Sequence, residues 1–165
     1  MTNMKDELFL AWAAGFFDGE GCVMVEASKS ERSRHGYRTS LHANVTQTSL
    51  PCLVLFMERF GGAIQTSENR TPNGRRWAVQ HRWLVRNEEA AAFLQAILPY
   101  LVVKKTQAEA ALTYPMRSPD GRKYGNSSNP IPEDVMAARM ALRSMLQDIR
   151  ASMKTLAKPA EVKNG

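Results

Sequence analysis

Residues 10–21 constrain the fold most, because they combine a close-packing helix face with an acidic, glycine-rich end. Ala11, Ala14, Gly15 and Asp18 recur at helical spacing and therefore share one face. Small residues on a helix face allow another backbone to approach closely. Bulky side chains occupy the rest of the helix surface and are expected to enter the chain's own core. The pattern predicts a helix with one face reserved for a close neighbour.

Two carboxylates, Asp18 and Glu20, alternate with Gly19 and Gly21 where this helix must stop. A carboxylate at a helix C-terminus lies against the negative end of the helix dipole, which is unfavourable. A bound cation would offset that repulsion. The simpler interpretation is a buried helix with a glycine-rich C-terminal turn, but it does not account for the acids.

The composition bounds the class of protein. At 165 residues and 44% hydrophobic, the chain can bury one sizeable core, so we expect a single domain over 1–165. A net charge of +6 favours a polyanionic partner without establishing one. The two cysteines and three histidines lack zinc-ligand spacing. The polar beginning of the chain is unlike a secretory signal, which predicts an intracellular protein of the cytoplasm, nucleoid or an organelle, with no membrane partner.

Two successive pairs of segments with alternating polar and apolar residues, each pair a predicted hairpin, lie between helical segments. The order predicts an α+β fold, α-β-β-α-β-β-α, with a four-stranded antiparallel sheet and helices on one face. Predicted strands span 22–28, 37–48, 63–69 and 76–86, and predicted helices span 50–60, 88–98, 100–114 and 133–156.

The remaining divisions follow from composition. The core covers about 8–112, and 115–132 is rich in Pro, Gly, Ser and Asn, which predicts a mobile connector. The helix at 133–156 is amphipathic and is expected to pack on the core. The tail at 157–165 is expected to fray.

The polar face of the second strand carries side chains that both donate and accept hydrogen bonds, including His42 and Asn44. Such faces are commonly solvent-exposed, but these groups also suit base edges, and a two-stranded ribbon fits the DNA major groove. Gln80 and Arg82 of the last strand are expected on the same face. A bulge there would turn His81 outward instead.

Residues 13–21 resemble the signature motif of the LAGLIDADG homing endonucleases, most specifically over 15–21. Segments 44–48 and 98–107 resemble further parts of that family, and 80–85 does so less specifically. The resemblance implies the LAGLIDADG fold. Because one signature copy is present, it also implies a homodimer of the single-motif branch. The small helix face, comprising Ala11, Ala14, Gly15 and Asp18, would then form the two-fold dimer interface.

The family's activity is implied in the same way: metal-dependent, site-specific cleavage of both strands of a long pseudo-palindromic double-stranded DNA. Glu20 and the Gly19 carbonyl would bind Mg²⁺, the two Glu20 side chains being brought together by the dimer. Gln47 would orient the attacking water or a metal-bound water, and Lys104 would stabilise charge at the scissile phosphate. Without that function, Gln47 is a strand-end hydrogen-bonding group and Lys104 a solvated helix lysine. Pro51 stands where some relatives carry a basic residue.

The DNA contacts implied by this fold form two groups. The sheet residues expected to face DNA are Met24, Glu26, Ser28, Arg38, Ser40, His42, Asn44, Gln80 and Arg82. The hairpin-tip arginines expected to face bases or phosphates are Arg32, Arg34, Arg70, Arg75 and Arg76.

Two other classes of function remain compatible with the sequence. One is a non-cutting nucleic-acid-binding module, such as an intron maturase or a DNA-binding regulator. The other is a basic α+β scaffold protein with no role on nucleic acid. The joint presence of Glu20, Gln47 and Lys104 favours the enzyme.

Overall fold

The protein is described by a computed structural model over residues 4–68 and 78–156, with side chains as far as Met153. Two antiparallel hairpins alternate with helices in the predicted order, which confirms the α+β architecture. The elements are α1 (Met4–Glu20), β1 (Gly21–Lys29), β2 (Tyr37–Gln47), α2 (Leu50–Phe60), β3 (Ala63–Ser67), β4 (Gln80–Arg86), α3 (Asn87–Ile97), a 3-10 turn (Leu98–Tyr100), α4 (Lys105–Ala111) and α5 (Glu133–Leu156).

The four strands form one antiparallel sheet in the order β1-β2-β4-β3. Strand β2 is central and pairs with both β1 and β4. Its apolar residues Leu41, Ala43 and Val45 are fully buried on one face, which the helices cover. Its polar residues point to the other face, since successive side chains alternate. The sheet therefore has an apolar side for the core and a polar side for a partner.

An aromatic cluster joins the helices to the apolar face. Phe93 lies at the centre of this cluster, with ring centroids 5.1 Å from Phe17 and 4.9 Å from Trp83. Phe56 packs 5.0 Å from Trp83, whose Nε1 donates a hydrogen bond to the Gly61 carbonyl at 2.8 Å. These contacts fix α1, α2 and α3 against the sheet. They also fix where α1 ends.

The join between α1 and β1 requires a glycine. A Cβ atom at Gly21 would lie 2.2 Å from the Phe17 ring. Only a residue without a side chain lets the last turn of α1 lie directly against the first residue of β1. The chain therefore passes from helix to strand immediately after Glu20.

The predicted helix at 100–114 is shorter in the structure, and this prediction was wrong at its start. Residues 101–104 form a turn, and α4 begins only at Lys105. The reason is a remote carboxylate: Asp18 accepts hydrogen bonds from the backbone N–H groups of Val102, Val103 and Lys104. Groups held by a side chain of α1 are not oriented to continue a helix.

The connector at 115–132, predicted to be mobile, is a loop closed by hydrogen bonds. The Asn129 amide nitrogen lies 3.1 Å from each of three acceptors: Ser118 Oγ and the carbonyls of Arg122 and Lys123. Side-chain amides that replace missing backbone partners are a common way of ordering such loops. Helix α5 follows and buries Met136, Leu142 and Leu146 along β1 and α4, as expected.

The turn between β3 and β4 and the tail at 157–165 lie outside the described residues. Over the described ranges, no helix is both long enough and apolar enough to cross a membrane.

Candidate functional site

The two carboxylates at the end of α1 have different surroundings. Asp18 turns toward the 101–104 turn, and its oxygens accept the N–H groups of Val102 at 2.8 Å, Val103 at 3.1 Å and Lys104 at 2.8 Å. Glu20 is exposed at the point where α1 meets β1. Asp18 is thus committed to internal hydrogen bonds, and Glu20 is the carboxylate available to a ligand.

Lys104 is brought to this helix end by the same turn. Its ammonium group donates a hydrogen bond to the main-chain carbonyl of Asp18, where a cation is favoured by the helix dipole. Burial lowers the pKa of Lys104; the nearby acidic groups Asp18, Cys22 and Glu20 oppose that shift, and the Arg150 charge adds to it. The fold therefore places Lys104, a site residue predicted from the sequence, beside the acidic end of α1.

Gln47 lies at the same end of the sheet as Glu20. Gly21 is opposite Val45 in the β1–β2 register, so the end of β2 at Gln47 lies beside the residues that precede β1, Gly19 and Glu20. The Gln47 Oε1 atom accepts the Thr48 N–H at 3.2 Å, and the side chain is partly exposed. These contacts fix where Gln47 lies and do not assign it a chemical role.

The register of β4 settles the alternative left open by the sequence. The ladder is continuous from Gln80 to Arg86, with Arg82 opposite Thr46 of β2. Gln80 and Arg82 therefore share the polar face, as predicted. His81 lies on the opposite face, where its Nδ1 is 2.9 Å from Thr66 Oγ1.

The polar face carries an excess of positive charge. Arg38, Arg82 and Arg86 are on it, whereas Glu26 is the one carboxylate that the described strands place there. The Nε atom of Arg82 is buried and has no hydrogen-bond partner among the described residues. A desolvated donor without a partner is costly and is relieved by an acceptor from a ligand.

His42 and Asn44 do not have the exposure that their predicted role requires. They are 2% and 5% exposed, because β2 is central and each lies between paired residues of β1 and β4: Met24 and Arg86 for His42, Cys22 and Leu84 for Asn44. The His42 Nε2 atom lies 3.1 Å from Glu26 and 2.7 Å from Ser40 Oγ. Burial lowers the pKa of His42 despite the Glu26 charge, and Arg86 and Arg82 lower it further. Both side chains thus lie below the exposed surface of the polar face.

The hairpin-tip arginines differ among themselves. Arg32 is exposed, whereas Arg34 donates a hydrogen bond to the Ile131 carbonyl, which also lies 2.8 Å from His35 Nε2. Arg34 therefore fastens the β1–β2 tip to the connector. The tip arginines Arg70, Arg75 and Arg76 lie outside the described residues.

The small face of α1 is partly available to a neighbour. Ala11 and Gly15 are exposed, and they continue a stripe that contains Leu8, which is 67% exposed. Ala14 is fully buried within the chain, so its side chain has no surface left for a partner. The helix turns by about 100° per residue, which places Ala14 between the exposed stripe and the core.

Two arginines near the site were not assigned to it from sequence. Arg86 pairs with His42 on the polar face, and the alternation of β4 contained the signal. Arg150 on α5 reaches the first residues of β1, where it contacts Cys22 Sγ. No local pattern marks Arg150, because the contact joins residues far apart in the chain.

The residues at the α1 end suit a hard divalent cation. Glu20 supplies an exposed carboxylate, and Gly19 lies in the last helical turn, whose carbonyls have no partner within the helix. Oxygen donors of this kind are the ligands that Mg²⁺ prefers. The described residues contain no cluster of three or more His, Cys, Asp or Glu side chains. One chain thus offers a partial site that needs oxygens from elsewhere.

Together these features define an α+β protein with a basic, polar sheet face and an acidic helix end. The chain belongs to the LAGLIDADG endonuclease family, whose model matches residues 13–108, more than half of its length. It is 28% identical over 112 residues to the DNA endonuclease I-CvuI of Chlorella vulgaris, an alignment that spans 67% of this chain and 66% of that protein.

Solved structures agree on the fold. The chain is similar to I-CvuI in complex with a DNA target, with a TM-score of 0.64 at 21% identity, covering 96% of this chain and 100% of that one. It is also similar to the archaeal intron-encoded homing endonuclease I-Vdi141I complexed with DNA, with a TM-score of 0.63 at 18% identity, covering 97% and 91%.

Proposed function

We propose that this protein is a homodimeric, Mg²⁺-dependent endonuclease that cuts both strands of a long pseudo-palindromic DNA target. The single observation that carries the proposal is the placement of Lys104 beside the Glu20 end of α1, although the two residues are far apart in sequence. A carboxylate for a metal and a cation for a phosphate then lie in one place. Family membership supports the same reaction.

The roles at the cleavage site follow from the chemistry of each group. Glu20 and the Gly19 carbonyl would hold the metal, with further oxygen ligands supplied from outside this chain. When bound, Mg²⁺ stabilises the attacking and leaving oxygens of phosphodiester hydrolysis. Lys104 stabilises negative charge developing on the phosphate, and Gln47 orients the attacking water. Asp18 positions Lys104 through the 101–104 turn.

The polar face of the sheet is the DNA-contacting surface. Its arginines, Arg38, Arg82 and Arg86, attract the phosphates, since Glu26 is the one carboxylate that the described strands place on this face. The long side chains at the surface, including Arg38 and Gln80, reach base edges in the major groove. His42 and Asn44 act indirectly by fixing Glu26 and the neighbouring strand positions.

A second copy of the chain packs on the exposed stripe of α1. The stripe combines Leu8 with the small residues Ala11 and Gly15, and the nearby turn exposes Val102 to 83%. A contiguous apolar surface of this kind is characteristic of a protein interface. Two-fold packing brings the two Glu20 side chains close, which accounts for the need for a cation between them.

The decisive experiment compares Glu20→Gln with Glu7→Gln, an exposed glutamate in the first turn of the same helix. The substrate is a duplex selected by binding to the wild-type protein from a library of randomised palindromes. With Mg²⁺, we expect Glu20→Gln to lower the cleavage rate by at least about a hundredfold while retaining affinity. Glu7→Gln should cut normally.

Two results would contradict the proposal in different ways. Normal cleavage by Glu20→Gln removes Glu20 from the metal site. Tight binding by the wild-type protein without cleavage, over a range of Mg²⁺ concentrations, identifies a non-cutting nucleic-acid-binding module instead.

A further inference from the structure

Helix α5 contacts the edge strand of the sheet through a basic side chain, Arg150. Arg150 donates through Nη2 to the Sγ atom of Cys22 and, at 3.4 Å, to the carbonyl of Val23. These residues open strand β1, which is an edge strand, so the Val23 carbonyl is accessible from the side of α5. Residues 22 and 150 are 128 positions apart.

The position of Cys22 shows which face Arg150 reaches. Cys22 lies opposite Asn44 in the β1–β2 register and therefore points to the polar face. A guanidinium group in contact with its sulfur atom therefore lies at the edge of β1 and reaches the border of the face proposed for DNA.

Arg150 also lies close to the groups of the cleavage site. Cys22 follows Glu20 by two residues, and Arg150 is among the charges that lower the pKa of Lys104. Two basic side chains thus lie near the acidic end of α1, Lys104 from the turn before α4 and Arg150 from α5.

The Arg150 guanidinium has donors left for a ligand. Its described hydrogen bonds use Nη2 alone, and no carboxylate among the described residues lies within 4.0 Å of it. A guanidinium presents more N–H groups than these contacts use, in a planar arrangement that matches a phosphate. Its two described partners are a thiol and a carbonyl, which carry no formal negative charge, so they do not neutralise the Arg150 charge.

We propose that Arg150 contacts a central phosphate of the DNA target and is, with Lys104, a second cation of the cleavage site. This inference rests on the proposed function for its substrate. The competing explanation is a latch, in which Arg150 only fastens α5 to β1. A latch affects the stability of the fold, whereas a phosphate contact affects the interaction with one particular phosphate.

The first test measures single-turnover cleavage with Mg²⁺ and enzyme in excess over the selected duplex. We expect Arg150→Gln to slow cleavage by at least about tenfold, and Arg150→Lys to restore part of the rate by returning the charge. The control is Arg59→Gln, which removes the same charge from α2, where Arg59 faces Asp6 at 3.6 Å. Wild-type cleavage by Arg150→Gln, or equal slowing by Arg59→Gln, overturns the proposal.

The second test needs no cleavage and so separates this proposal from the proposed function. Each central phosphate is replaced in turn by an uncharged methylphosphonate, and binding is measured with Ca²⁺. At the contacted phosphate, neutralisation should weaken wild-type binding about tenfold more than it weakens Arg150→Gln binding. If Arg150→Gln fails to fold, Arg150→Met, which keeps an unbranched stem without charge, takes its place.

The outcomes are distinguishable. Coupling at a central phosphate without wild-type cleavage supports the Arg150 contact and contradicts the endonuclease. Cleavage by the wild-type protein without coupling at any central phosphate supports the endonuclease and makes Arg150 a latch.

Discussion

Asp18→Ala tests whether this carboxylate organises the turn that carries Lys104. The substitution removes three hydrogen bonds of 2.8, 3.1 and 2.8 Å to consecutive backbone N–H groups. Water can replace the carboxylate at the exposed Val102 and Val103, which limits each loss to about 0.5 kcal/mol, and the partly buried Lys104 N–H adds about 1 kcal/mol. We expect the free energy of unfolding to fall by about 2 kcal/mol, or roughly 4–8 °C in Tm.

Urea unfolding at several protein concentrations is the appropriate assay, with Asp6→Ala as the control. Asp6 is an exposed acid on the first turn of α1 whose described ion pair, to Arg59, spans 3.6 Å, so its loss should cost less than about 1 kcal/mol. If Asp18 acts within the chain, its effect is the same at every protein concentration. A loss below about 0.5 kcal/mol, or one that vanishes on dilution, refutes the role of Asp18 in organising the 101–104 turn and favours an interface role.

Three further predictions concern the fold and the assembly. Gly15→Leu should raise the stability of the single chain by up to about 1 kcal/mol, since nothing lies within 4 Å of its Cβ position, yet weaken self-association in sedimentation velocity; unchanged association places the interface elsewhere. Burial holds the pKa of His42 below its usual 6.5, so the unfolded chain takes up a proton at a higher pH than the folded chain. The free energy of unfolding should therefore fall as the pH drops from 6.5 to the lower pKa of the folded state. An equal fall for His42→Asn in urea titrations would contradict this. Gly62→Ala should cost more than about 2 kcal/mol in urea unfolding, because φ is +82° and its Cβ would meet the Leu84 carbonyl at 2.5 Å; the neighbouring Gly61→Ala, at φ +74° and 3.7 Å from its nearest contact, should cost less, and equal costs would exclude the steric explanation.

Much of the architecture was predictable because it depends on patterns within a few residues. Alternation assigned the two faces of β2, and the helix bounds at 50–60 agree with α2. The same alternation placed Arg82 on the face of Thr46, as the register confirms. Turn and cap residues act locally, so their signals survive in the sequence. The motif around Glu20 indicated the family for the same reason.

The exposure of individual side chains was less predictable. His42 and Asn44 follow the expected alternation but are buried, because β2 lies between β1 and β4 and side chains of both strands cover them. Ala14 belongs to a small helix face but packs inside the chain. Periodicity gives the direction of a side chain, whereas its exposure depends on neighbours that other segments supply.

The sequence by itself determined the α+β order, the two-faced sheet and an acid at the end of the first helix. Tertiary structure alone decided what surrounds that acid: Asp18 shapes a turn 84 to 86 residues away, and Arg150 reaches Cys22 across 128 residues. These contacts form only when α4 and α5 dock beside β1. Hydrophobic periodicity and motif spacing report on residues close together in the chain. They do not report which distant segments come into contact when the chain folds.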